Sequence, residues 1–173
     1  MIKNNIRRES YLKFLNTWKN RDLIKVLSGV RRSGKSTLLA MFQQDLKEQG
    51  VQDENIIAIN FEYMEFEELT DYRKLHDYVL SKVDKNKKNY VFLDEIQHVQ
   101  NFEKVVDSLY IRDYIDLYIT GSNAFFLSGE LATLLTGRYI EQHVLPLSFQ
   151  EFKQWHTENN PTIQQLSNRD LYA

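Results

Sequence analysis

Gly29 and Gly34 stand five residues apart in GVRRSGKST, and Lys35, Ser36 and Thr37 follow directly. A plain turn needs one glycine. This spacing fits G-x-x-x-x-G-K-[ST], a loop that wraps a polyphosphate with main-chain N–H groups. The glycines let the backbone approach the oxygens closely. The amides of Arg32, Ser33, Gly34, Lys35, Ser36 and Thr37 would surround the β-phosphate, and a following helix would aim its positive end there. Lys35 supplies a mobile cation for the β- and γ-phosphates. Ser36 is placed to ligate Mg²⁺, and Thr37 lines the α-phosphate side. Arg31 and Arg32 either add charge near the phosphates or are solvated.

A cradle alone hydrolyses nothing. Further along, YVFLDEIQ carries a short apolar run ending in adjacent carboxylates. Such a run predicts a buried strand, and a carboxylate at its C-terminal tip lies at the sheet edge where ligands bind. Asp94 would hold Mg²⁺ from the side opposite Ser36. Glu95 would orient and polarise a water for attack on the γ-phosphate; as a plain alternative it is a helix N-terminal acid. In LYITGSN, Thr120, Ser122 or Asn123 could contact the γ-phosphate or its water, or could simply cap a turn. Arg138, after Gly137, would either reach a nucleotide held by a neighbouring subunit or satisfy helix-end carbonyls. A finger of that kind contributes roughly 10³–10⁵ in rate where it operates.

These groups need elements to hold them. Strands are expected at Leu23–Leu27, Ile56–Phe61, Tyr90–Leu93, Leu117–Thr120 and Tyr139–Leu145, short runs rich in Ile, Val, Tyr and Phe. Helices are expected between them at Lys35–Gln49, Tyr72–Val83, Phe102–Tyr110 and Phe125–Leu135, with Tyr11–Trp18 in front and Phe149–Trp155 behind. Leu38, Leu39, Phe42 and Leu46 repeat at the spacing of a buried helical face, and Gly50 stops that helix. Alternating strand and helix implies an α/β fold, a mostly parallel five-stranded sheet with helices on both faces.

The 173 residues suit one core domain, expected over 1–160, with 161–173 beginning a further segment. A net charge of −2 gives no global basic footprint for nucleic acid, although a local groove would escape that test. The absence of cysteine excludes disulfides and thiolate metal sites and fits a reducing cytoplasm. No apolar run approaches the length needed to span a bilayer.

Taken in order, GVRRSGKSTLL, FLDEIQHV, ITGSNAFFLSGELATLLTGRY and LPLSFQEF resemble the prokaryotic AAA-type P-loop ATPase family, over about Arg8 to Phe152. The resemblance implies a three-layer P-loop NTPase core with the sensor strand between the cradle strand and the acidic strand. It implies Walker A at Gly29–Thr37, Walker B at Tyr90–Glu95, a first sensor near Thr120 and Ser122, and a candidate finger at Arg138. Members usually continue into a C-terminal nuclease-like domain. The helical lid and second-sensor arginine of AAA-type ATPases are not recognisable before Ala173.

The leading expectation is Mg²⁺-dependent ATP hydrolysis that drives a conformational switch of a protein or nucleic-acid partner, or of a further domain. Homo-oligomers would let Arg138 act in trans. A kinase passing on the γ-phosphate and a nucleotide-dependent binding module are the alternatives. Asn60 and Glu62, at the end of the second strand, either hold the catalytic glutamate back or are solvated. Arg8 and Tyr11 either cover the adenine or dock a helix. His98 and His143 lack metal-ligand spacing, and DKNKKN is a solvated turn.

Overall fold

The computed structural model describes residues 6–122, 135 and 137–153. Five strands run parallel in the spatial order β2-β3-β4-β1-β5. They are β1 (Ile24–Ser28), β2 (Ile56–Asn60), β3 (Asn89–Asp94), β4 (Ile115–Gly121) and β5 (Tyr139–His143). Every expected strand is present, with ends shifted by one or two residues. β4 lies between β1 and β3, as the resemblance implied.

Among the described residues four helices cover the sheet: α1 (Glu9–Trp18), α2 (Lys35–Glu48), α3 (Tyr72–Lys82) and α4 (Phe102–Tyr110). α1 begins two residues before the expected Tyr11, because the Arg8 carbonyl accepts from the amides of Tyr11 and Leu12. The expected helix at Phe125–Leu135 lies, apart from Leu135, outside the described residues. A further helical segment is described at 149–153, and the rest of the expected Phe149–Trp155 lies outside. Three 3₁₀ segments were not anticipated: Asp53–Asn55, Met64–Thr70 and Ile96–His98.

Period-two alternation divides the sheet between two cores. Val91, Leu93, Leu117 and Ile119 face Leu75 and Val79 of α3 and Val105, Val106 and Leu109 of α4. Tyr90, Phe92 and Tyr118 face Leu12 and Leu15 of α1 and Leu38, Phe42 and Leu46 of α2. On that face the Phe92 and Tyr118 rings stack at 4.7 Å. Each such side chain contributes about 1.5–3 kcal/mol by leaving water. Helices on both faces make the three-layer α/β fold that the motifs implied.

Topology then fixes where a ligand can sit. The chain leaves β1, crosses to the far edge at β2, returns through β3 to β4, and passes over β1 to β5. Connections from β1 and β4 therefore depart in opposite directions and open a crevice at their carboxyl ends. Ser28, Asp94 and Gly121 end their strands at that edge.

Candidate functional site

The loop after β1 is held open by its glycines. Gly34 sits at φ 95° as the residue preceding α2, and Arg32 also takes a left-handed conformation at φ 65°. A Cβ on Gly29 would lie 2.4 Å from the Val144 carbonyl oxygen and 2.8 Å from Ser33 Oγ. Only hydrogen fits there. The amide of Ser33 donates to the Val30 carbonyl at 3.2 Å, closing the loop on itself. Among the described residues the buried Ser33 hydroxyl has no hydrogen-bond partner.

Lys35 is buried and turns back into the loop. Its Nζ donates to the carbonyls of Gly29 at 3.1 Å and Val30 at 3.4 Å. The same Nζ lies 3.4 Å from Glu95 Oε1. Lys35, Ser36, Thr37, Arg32 and Glu95 line a cavity of about 370 Å³. Cradle and carboxylate, far apart in sequence, thus meet in one place. Arg31 and Glu62 also border this cavity and pair with each other at 2.8 Å on its exposed side.

Asp94 is held from both neighbouring strands. Its carboxylate accepts from Thr120 Oγ1 on one oxygen and from Asn60 Nδ2 at 2.9 Å on the other, and the Ser36 hydroxyl lies near enough to favour its charged form. Burial pushes its carboxyl above the ordinary range, and the nearby Glu95 charge adds to this. Hydrogen bonds from Ser36 and Thr120 and the charge on Lys35 work the other way. A hydroxyl and a buried carboxylate brought near each other are the hard oxygen donors that Mg²⁺ takes, with substrate phosphates and water completing its shell. Ser36 and Asp94 therefore fit that ion. Among the described residues no group of three or more His, Cys, Asp or Glu converges, so an all-protein metal cage is not seen there.

Several sequence expectations change. Asn60 holds Asp94 rather than the glutamate, because parallel register sets Asn60 opposite Asp94. Thr120 is fully buried. Its hydroxyl donates to Asp94 and accepts from the Glu95 amide at 2.9 Å, so it fixes both acids from behind. Ser122 follows the end of β4, and Asn123 lies outside the described residues. Glu95 does not begin a long helix. It takes a left-handed conformation at φ 59° ahead of the short turn Ile96–His98.

A second cavity of about 300 Å³ adjoins the loop on its other side and shares Arg32, Gly34 and Thr37. Ile6, Met41, Leu147 and Phe152 give it an apolar lining of the kind a nucleoside needs. Arg8 borders it, but its guanidinium is committed elsewhere. It donates to Glu151 at 2.8 Å, to the Leu145 carbonyl at 2.8 Å and to the Ser33 carbonyl at 3.3 Å. Tyr11 packs under that guanidinium at 4.4 Å and is not part of the cavity lining. The adenine-covering reading of Tyr11 is therefore corrected to packing. Sequence reasoning missed Glu151, Leu147 and Phe152, whose only signal was an apolar-acidic run after the last strand.

Arg138 is remote from this loop. Its carbonyl accepts from the Ile24 amide at 2.8 Å, at the start of β1. The loop follows the other end of that strand, roughly 13 Å away at 3.3 Å per residue. The Arg138 guanidinium pairs with Asp107 of α4 at 2.9 Å rather than with helix-end carbonyls.

The family model described as AAA domain matches residues 21–153. The chain belongs to that family. An uncharacterized protein of Haemophilus influenzae is 47% identical over 174 residues, covering 100% of this AAA chain and 43% of its own length. An uncharacterized protein of Methanocaldococcus jannaschii is 38% identical over 141 residues, covering 79% of the chain and 29% of its own length. The chain thus spans less than half the length of these relatives. Among solved structures, the Aeropyrum pernix ORC1 protein in complex with DNA matches at a TM-score of 0.63 and 11% identity, over 93% of this chain and 51% of that one. AMPPCP-bound DnaA of Aquifex aeolicus matches at 0.58 and 14%, over 99% and 57%. At these identities the two structures show the fold. Membership in the AAA family supports nucleotide binding and hydrolysis as the general class of activity. Among the described residues no helix is long and apolar enough to cross a membrane.

Proposed function

We propose that this AAA domain binds ATP and hydrolyses it, and that loss of the γ-phosphate drives a conformational switch. One observation carries the reading: Lys35 Nζ stands 3.4 Å from Glu95 Oε1 at a cavity lined by the phosphate loop. A cation and a carboxylate so placed hold each other until a phosphate competes for the cation. The adjoining apolar cavity takes the nucleoside.

In the reaction, Glu95 orients a water and accepts its proton as the water oxygen bonds to the γ-phosphorus. The bond to the β,γ-bridging oxygen breaks, and ADP keeps that electron pair. Lys35 and the loop amides hold the phosphate oxygens throughout. Mg²⁺, held by Ser36 and Asp94, would neutralise phosphate charge. Thr120 keeps both acids in place, and Asn60 holds Asp94.

The switch reading rests on Arg8. Its guanidinium ties the Ser33 carbonyl of the loop to Leu145 and Glu151 beyond β5. A loop that moves when phosphate leaves therefore pulls on the chain after the sheet. We assign the response to a partner protein, a nucleic acid or a further domain such as the relatives' greater length allows. Arg138, too far from its own loop, would act on a neighbouring copy. The cysteine-free composition suits the cytoplasm.

The test is Mg²⁺-dependent phosphate release from ATP without an acceptor, on wild type and Glu95→Gln. Release lost in the variant, with nucleotide affinity retained, supports the hydrolase. Release that needs an added acceptor points to a kinase, and tight binding with no release points to a binding module.

A further inference from the structure

We infer that Gln97 is a positioning residue for the water-activating Glu95, an inference that rests on the hydrolase reading above. The Gln97 Nε2 donates to Glu95 Oε2, while Lys35 Nζ approaches the other oxygen, Oε1. The carboxylate is therefore held from two sides. These two holds differ in what a nucleotide does to them. A γ-phosphate draws the Lys35 ammonium toward its own oxygens and weakens the Lys35–Glu95 contact. Gln97 carries no charge, so a phosphate leaves its bond to Glu95 in place. From that moment the amide is the side-chain donor that sets the plane of the carboxylate.

Local structure makes the contact rigid. Glu95 takes φ 59° and ψ 50°, a conformation that costs a non-glycine residue energy and persists only where neighbours enforce it. Its amide is pinned by the Thr120 hydroxyl at 2.9 Å. Next, Ile96 is fully buried in the core on the α3–α4 side. The His98 amide then closes the turn on the Glu95 carbonyl at 3.2 Å. A buried anchor between two polar residues, in a closed turn, folds the Gln97 amide back onto the carboxylate two positions earlier. The Glu95 oxygen accepts, and the amide presents its nitrogen. Its oxygen, Oε1, is buried and has no partner among the described residues. A glutamine kept for packing would not be expected to bury an unpaired oxygen, which costs about 1–3 kcal/mol; holding Glu95 offsets that cost.

A water held for in-line attack tolerates little misplacement, and an error near 1 Å in positioning costs on the order of 10²-fold in rate. Gln97→Met keeps the length and removes the donor; Gln97→Glu keeps the shape and sets a second carboxylate against Glu95. Each is compared with wild type and Glu95→Gln for ATP turnover, for affinity toward a fluorescent ATP analogue, and for melting temperature. The expected result is a kcat lower by on the order of 10²-fold in both variants, with KM and analogue affinity within about twofold and melting little changed. A Gln97→Met kcat equal to wild type overturns the inference and leaves the hydrolase reading standing, provided Glu95→Gln is inactive. A kcat lost only in step with affinity or melting overturns it as well. No turnover by wild type, or full turnover by Glu95→Gln, overturns the hydrolase reading and the inference with it.

Discussion

Asn60 Nδ2 donates to Asp94 Oδ2 at 2.9 Å, between residues that parallel register sets opposite each other at the ends of β2 and β3. The strand neighbouring the acidic strand thereby braces Asp94, the proposed Mg²⁺ ligand, and not Glu95, the proposed water-activating acid. Since Thr120 binds the other oxygen of Asp94 from β4, the carboxylate is gripped from both flanking strands.

That grip holds a carboxyl which burial raises above its ordinary value of 3.8. The sign follows from proton counting. Between the ordinary value and the raised one, the folded chain binds more protons than the unfolded chain, so stability falls as pH rises through that window and stays lower above it. Asp94→Asn removes this loss. Near neutral pH the apo variant should melt above wild type. The gain should shrink as pH falls through that window and vanish below about 3.8, where the aspartate is protonated in both states. The same variant should lose stabilisation by Mg-ATP. Calorimetric melting at both pH values checks it, and a lower melting point for the variant near neutrality would refute it.

Gly29 offers a steric test of the cradle. A methyl group there meets the Val144 carbonyl oxygen at 2.4 Å, and that carbonyl is backbone at the exit of β5. Relief requires moving either the loop or the strand end that receives it. Gly29→Ala should destabilise the fold by about 1–3 kcal/mol, as overpacking does, and weaken nucleotide binding at least tenfold. By contrast, Gly50→Ala should leave binding unchanged, since its Cβ would meet nothing within 4 Å. Equal effects from the two variants would argue against the cradle.

Arg8 and Glu151 make a testable acid limb. Burial raises the Glu151 carboxyl, but the Ser148 amide and hydroxyl and the Arg8 guanidinium outweigh it, leaving the group below its ordinary 4.5. A depressed carboxyl contributes stability above that ordinary value and loses it as pH falls through the folded one. Arg8→Met should therefore flatten the dependence of melting temperature on pH below about 4.5, and should weaken nucleotide affinity because the Ser33 carbonyl loses its donor. An unchanged acid limb would mean that the pair adds nothing to folding.

The phosphate loop was legible because its chemistry is local: two glycines, a lysine and a hydroxyl must fall within one short stretch to wrap one phosphate. The acid pair was legible for the same reason, an apolar strand that stops in carboxylates. What depends on register was not. Asn60 stood near both acids in any sequence reading, and only strand pairing assigns it to Asp94. Arg8 and Glu151 lie 143 residues apart, and nothing along the chain links them. Gln97 was nearer to hand. In DEIQ a lone amide sits two places after the glutamate, but without the left-handed turn at Glu95 no periodicity brings the two together. Thr120 is expected from sequence to meet the γ-phosphate or its water; strand pairing adds what the sequence does not show, its bonds to Asp94 and the Glu95 amide.

Arg138 raises the question of shared sites. It stands at the start of β5, a strand's length from its own loop, and its guanidinium is half exposed on Asp107. An exposed pair of this kind contributes little to folding, about 0–1 kcal/mol, so the arginine can leave it at small cost. If it serves a neighbour, Arg138→Ala carries an intact loop and acids but lacks the finger, while Glu95→Gln carries the finger but lacks the acid. Each alone should be inactive. Mixed in equal amounts, they form interfaces in which an intact Glu95 meets an intact Arg138, and turnover should recover to roughly a quarter of wild type if dimers exchange freely. Asp107→Ala, which frees the guanidinium, should keep full activity. Phosphate release from the mixture, measured against each variant alone, decides it: full activity in Arg138→Ala by itself, or no recovery from a mixture shown by light scattering to associate, would remove Arg138 from the chemistry.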